Sequence, residues 1–134
     1  MKKYFLILVI VIFSSCSSAD SEVTPQKTLE GKWSWIGSSG GIAGTYETPE
    51  STNKVIYLEF SGSTFKKYIN GKLDTESAFT IKTEKSIFGG EKPMIVSNEP
   101  SKKFVAMSFV FEGHKLYLYE ECYDCYGSGY IRVQ

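Results

Sequence analysis

The chain has 134 residues, formal net charge zero and 15% aromatic residues, with nine Tyr and nine Phe. No basic patch dominates, so nucleic-acid binding has no electrostatic footprint. Three cysteines and a single histidine exclude most cysteine- and histidine-rich metal sites.

The chain begins with Lys2 and Lys3, then an unbroken apolar run from Tyr4 to Phe13, then Ser14, Ser15 and Cys16. A spanning helix needs about 20 apolar residues, and this shorter run with small residues at its exit is the signal-peptide pattern. Phe13-Ser14-Ser15-Cys16 resembles the lipobox of bacterial lipoproteins, although that family favours Leu at the first position. The resemblance implies cleavage before Cys16 and attachment of fatty-acyl groups such as palmitate to its thiol and new amino terminus. More than one acyl chain gives stable anchoring, because each buried methylene contributes about 0.8 kcal/mol. Residues 1–15 are therefore read as a leader. Residues 16–28 are small and polar, with too little apolar surface to offset ordering, and are read as a flexible stalk. Ser17 after the lipidated position resembles the outer-membrane form of Gram-negative lipoproteins. Loss of Lys2 and Lys3 with the leader leaves 13 basic residues against 15 acidic.

Residues 29–134 are the size of one domain. They carry period-two runs broken by turn residues rather than an apolar stripe at helical spacing. The first strand is Lys32–Ile36. Val55–Phe60 follows, with Ile56, Leu58 and Phe60 on one face, and Ser61-Gly62-Ser63 turns the chain into Thr64–Ile69. There Lys67 interrupts the apolar face of Phe65 and Ile69. Asn70-Gly71 suits a type I′ hairpin, whose central residues need positive φ. The next strand is expected from Lys72 or Leu73 to about Lys82 and carries Phe79. Ile87-Phe88 and Met94–Val96 are expected as a short irregular pair around Gly89-Gly90. Phe104–Phe111, apolar on both faces except at Ser108, predicts a well-covered strand. Glu112-Gly113-His114 is the next turn. Leu116–Tyr119 and Tyr130–Val133 are the last strands. About eight strands in sequential hairpins predict an all-β, antiparallel up-and-down barrel, whose closure removes exposed edges. A β-sandwich is the alternative that periodicity alone leaves open.

Leu29-Glu30-Gly31-Lys32-Trp33 resembles the Gly-x-Trp opening of lipocalins, and Arg132 stands where that family places a basic residue over the Trp. The resemblance implies a barrel-closing group of Gly31, Trp33 and Arg132, with a cation–π contact at the closed end. Residues 29–133 also resemble small lipocalin-like lipoproteins of Gram-negative bacteria. The shared features are the opening above, the Ser/Gly-rich segment 38–44, Thr48-Pro49, the Leu116/Leu118 pair and the terminal Tyr130-x-Arg132. The middle lipocalin motif is absent and the domain is short, which implies a reduced calyx. Gly40-Gly41-Ile42-Ala43-Gly44 reads as a flexible connection between the first two strands, and the lipocalin resemblance implies that it folds over the mouth as a lid.

Cys122-Tyr123-Asp124-Cys125 is open to three readings: redox motif, half a zinc site, or disulfide. Its acidic flanks oppose thiolate formation, a structural zinc site wants four ligands, and an exported compartment favours the disulfide. No nucleophile–base pair emerges, so no catalysis, cofactor or metal is expected. Two functions remain. In one, a small hydrophobic ligand sits among Ile56, Leu58, Phe60, Phe65, Phe79 and Met107. In the other, those side chains fill the barrel. Tyr57, Tyr68, Tyr117 and Tyr119 then face a protein or glycan partner.

Overall fold

Alternation of apolar and polar residues becomes strand along most of residues 28–99 and 104–134, which the computed structural model describes. The leader, Cys16 and most of the stalk lie outside the described residues. The elements are β1 (Gly31–Gly40), β2 (Thr45–Glu47), a one-turn helix α1 (Pro49–Thr52), β3 (Ile56–Ser61), β4 (Thr64–Ile69), β5 (Lys72–Lys85), β6 (Glu91–Ser97), β7 (Met107–Glu112), β8 (Lys115–Glu120) and β9 (Tyr126–Arg132). Thr48 caps α1: its side chain accepts from the Ser51 amide while the Ser51 side chain accepts from the Thr48 amide.

All strand pairs are antiparallel, and β3 to β9 follow one another as neighbours. β1 pairs with β3 on one side and with β9 on the other, which closes an eight-stranded, lipocalin-like barrel and excludes the sandwich. β2 is extra to that closure. It lies beside the last residues of β1, with Ser39 opposite Tyr46.

Strand limits shift where glycine or a bend masks the pattern. β1 runs on to Gly40, so Ser38-Ser39-Gly40 is not a free connection but paired strand, and only Gly41–Gly44 turn the chain. β9 begins at Tyr126 rather than Tyr130, because Gly127 and Gly129 contribute no side chains to an alternation. β5 continues to Lys85. Ile87 and Phe88 are not strand but the exposed tip of the β5–β6 hairpin, closed by a Ser86 amide bond to the Gly90 carbonyl (2.9 Å). β7 starts at Met107, leaving Phe104–Ala106 irregular. Asn70 and Gly71 both have positive φ (50° and 77°), the backbone a tight I′-type turn needs between Ile69 and Lys72.

Inward-facing residues build one core of Leu29, Trp33, Trp35, Leu58, Phe60, Phe65, Phe79, Ile95, Phe109, Leu116, Leu118 and Tyr130. Aromatic rings meet in series inside it. Phe60 lies 5.2 Å from Phe65 and 5.5 Å from Phe79, centroid to centroid, and Trp33 lies 6.0 Å from Phe111. Tilted and edge-on pairs of this kind contribute about 0.5–1.5 kcal/mol each beyond burial.

β6 pairs with β7 only at Met94 and Ile95. Past that point the β5–β6 hairpin leaves the sheet and its tip docks on Glu121. The Glu121 carboxylate accepts from Ser86 Oγ (3.0 Å) and the Ile87 amide (2.9 Å). Burial pushes the Glu121 pKa up, but influences from Ser108, Ile87, Ser86 and Lys92 together outweigh it and hold the group below its ordinary 4.5. Ser108 Oγ favours the charged carboxylate without reaching hydrogen-bond geometry, and is the one buried side-chain polar atom among the described residues left unbonded. A carboxylate with a depressed folded pKa stabilises the fold at neutral pH, and that stabilisation disappears as pH falls through the folded value. Protection of the Ile87 amide from hydrogen exchange, corrected for the intrinsic rate, should therefore fall between about pH 7 and about pH 3. Glu121→Gln should flatten that dependence. Equal protection at both pH values would show that the carboxylate does not hold the hairpin tip.

Candidate functional site

The two ends of the barrel differ in chemistry. At one end Trp33 Nε1 donates to the Leu29 carbonyl (2.8 Å), tying the entering chain beneath the first strand. The Arg132 guanidinium lies 4.2 Å over the Trp33 ring. Its Nη1 and Nη2 donate to the Glu30 and Thr28 carbonyls, each at 2.6 Å. Gly31 leaves room for this arrangement, since a Cβ there would stand 3.0 Å from Arg132 Nη1. Gly31, Trp33 and Arg132 thus meet as a plug that shuts this end.

The opposite end is recessed. Lys67, from β4, falls on the inward face between Phe65 and Ile69, and Glu120, from the end of β8, falls inward after Leu116 and Leu118. Both border two adjoining recesses. One, of about 300 Å³, is lined by Phe65, Phe104, Val105 and Met107 together with Lys67, Asp74, Thr75 and Glu120. The other, of about 170 Å³, has Trp35, Ile56, Ile69 and Tyr130 on its apolar side and Glu47, Lys54, Lys67 and Glu120 on its charged side. Its wall is a hydrogen-bonded network: Trp35 Nε1 donates to Ser38 Oγ (2.8 Å), and the Ser38 and Ser128 hydroxyls are hydrogen-bonded to each other (2.6 Å). Glu120 accepts from the Tyr126 amide (3.1 Å). Burial pushes the Tyr130 phenol far above its usual value, against a smaller lowering by Ser128, so it stays neutral here.

The six residues read as ligand-lining divide. Phe65 and Met107 border the larger recess and Ile56 the smaller. Leu58, Phe60 and Phe79, each 1% exposed, lie within the packed core and border neither recess. Lys67 and Glu120 were not singled out from sequence as site residues. The trace of Lys67 is the broken alternation of β4, and that of Glu120 is an acidic run that reads more readily as a solvated strand end than as a site.

Cys122 and Cys125 are bonded across the β8–β9 turn, where Asp124 takes positive φ (59°). The Glu120 carboxylate lies within 4.8 Å of both sulfurs. Bonded to each other, these sulfurs offer no thiolate to a cation. The turn is fastened to its neighbour by the Gly41 amide, which donates to the Cys125 carbonyl (3.3 Å). His114 is exposed in the β7–β8 turn. On the outer wall Tyr57 pairs with Tyr68 across β3 and β4, and Lys32 Nζ sits 4.3 Å from the Tyr57 ring centroid. No family model, curated protein or solved structure matches the chain.

Proposed function

We propose that the protein is a lipid-tethered, lipocalin-like binding protein of the bacterial cell envelope. It carries a small amphiphile at the open end of its barrel. Supporting the tether are the basic-apolar leader, the small residues before Cys16, the outer-membrane-like Ser17 and the polar stalk. The observation that carries the binding role is the recess of about 300 Å³ that joins Phe65, Phe104 and Met107 to Lys67 and Glu120. An apolar floor with a few converging polar groups is the usual make-up of a small-molecule site, and this volume is at the lower end for one. Depth goes to packing, so the ligand sits at the mouth. Its apolar part rests on the aromatic floor and its polar head meets the charges.

The test is a titration of Asp20–Gln134 with anilinonaphthalene sulfonate, after near-UV circular dichroism has established fixed packing. Saturable binding of one probe per chain is expected. Lys67→Glu, which reverses the charge facing the sulfonate, should weaken it at least about tenfold. A well-packed domain that binds no probe, or binds it equally well in both forms, would sink this reading.

A second reading, a filled barrel that works through its outer wall, is favoured by the burial of Leu58, Phe60 and Phe79.

A further inference from the structure

Gly127 and Gly129 alternate along β9 with Ser128 and Tyr130, whose side chains point into the barrel. The two outward positions in the middle of β9 are therefore both glycine, and the outer wall has no side chains there. Aromatic neighbours lean into the gap. Tyr119 faces Gly127 across the β8–β9 pair, and a Cβ at Gly127 would stand 3.0 Å from the Tyr119 ring edge. Tyr117 faces Gly129, and a Cβ there would meet both Tyr117 and Ile36 at 3.3 Å. On the far side β2 raises Tyr46 so that its hydroxyl stands over Gly37, 2.8 Å from where a Cβ would be. The result is a trough of about 340 Å³ with a glycine floor, walled by Ile36, Tyr46, Tyr117 and Tyr119, with Ser39 and Lys115 completing the rim. Tyr46 is 70% exposed and Tyr119 40%.

β2 is not needed to close the barrel, yet without it the trough would lose the wall formed by Tyr46. We propose that this trough is a binding site for a neutral carbohydrate chain, separate from the recess at the mouth. Rings within a cleft suit the apolar C–H faces of pyranose sugars. The three phenol hydroxyls, the Ser39 hydroxyl and the Lys115 ammonium supply donors and acceptors for sugar hydroxyls. No carboxylate lines the trough, and Lys115 is its single charged residue. An extended peptide is a poorer fit, because the floor strands β8, β9 and β1 already pair with neighbours at this point, and the unpaired edge beside the trough, that of β2, is only three residues long.

The experiment is calorimetric titration of the full chain with four soluble neutral oligosaccharides: maltohexaose, cellohexaose, mannohexaose and chitohexaose. Saturable binding of at least one is expected. Tyr119→Ala and Tyr46→Ala should each weaken it about tenfold or more. Gly127→Val, which puts a side chain into the floor, should abolish it. Tyr57→Ala on the neighbouring strand β3, outside the trough lining, and Lys67→Glu at the mouth should leave it unchanged, which separates this site from the amphiphile site. If Gly127→Val misfolds by near-UV circular dichroism, the exposed Tyr46→Ala still tests the trough. Failure of all four sugars to bind at about 10 mM would overturn the proposal. So would binding that survives within about twofold in the Tyr46→Ala/Tyr119→Ala double variant.

Discussion

Replacement of Trp33 by alanine is expected to remove about 3–5 kcal/mol of stability, the range for deleting a large buried aromatic. A domain of this size has roughly 5–15 kcal/mol in all, so the variant should sit at the edge of folding. Trp33 is 1% exposed and touches three parts of the closed end at once. Its ring packs against Phe111, its indole nitrogen satisfies the Leu29 carbonyl, and its outer face supports Arg132. Alanine leaves a void, a buried carbonyl without its donor, and a guanidinium without its platform. Trp33→Phe keeps most of the packing but loses the Leu29 bond, and should cost about 1–2 kcal/mol more than a conservative ring swap alone. Arg132→Lys tests the plug from the other side. A lysine ammonium can lie over the ring but cannot present the planar fork that reaches the Glu30 and Thr28 carbonyls together. Urea unfolding followed by near-UV circular dichroism measures all three. A loss below about 1.5 kcal/mol for Trp33→Ala would mean that the closed end collapses around the gap and the plug is dispensable.

How much of this could be read from the sequence depended on whether the signal lay in side-chain alternation or in its absence. Ile56, Leu58 and Phe60 alternate cleanly, and β3 is where they place it. Asn70-Gly71 states its turn outright, because few residues accept positive φ twice in succession. The barrel follows from such hairpins, with closure the physical answer to two open edges. What stayed hidden has three physical sources. Glycine is silent in a pattern of apolar and polar residues, so the first half of β9 and the trough it creates left no trace. Inward charges look like errors of alternation, so Lys67 could not be told from an outward residue in an imperfect strand. Contacts distant in sequence have no local signature. Nothing near Ser86 signals that Glu121 will bind it, and Ile87-Phe88 reads as strand until that latch is seen to hold it as a hairpin tip. Packing depth is hidden in the same way. Leu58, Phe60 and Phe79 have one-sided patterns whether they line a cavity or fill one, and only their burial decides.

Gly40→Ala should be the most damaging of the small substitutions, with an expected loss of roughly 3 kcal/mol. Gly40 has φ +144°, and an added Cβ would lie 2.2 Å from the Cys125 carbonyl oxygen and 3.0 Å from the Tyr126 Cα. Both obstacles are backbone, so no side chain can swing aside. β1 and β9 must part at the mouth, which breaks the bond from the Gly41 amide to Cys125 and displaces the disulfide-closed turn beside it. Backbone strain alone at such a position costs about 1–3 kcal/mol, and the broken strand end adds to it. Gly44→Ala is the control. Gly44 also has positive φ (+59°), but a Cβ there meets nothing within 4 Å, so its cost should be the conformational penalty of about 1–2 kcal/mol. Equal losses for the two variants would show that the approach of β1 to β9 is not tight. The pair also bears on function, because Ser38, Tyr126 and Ser128 beside Gly40 form one wall of the smaller mouth recess. Parting the strands there should weaken probe binding at the mouth in Gly40→Ala while the Arg132–Trp33 plug at the other end keeps its near-UV signal. Gly44→Ala should leave both intact. A mouth that binds normally in a folded Gly40→Ala would separate the recess from the strand junction and move the binding position toward Phe65 and Met107 alone.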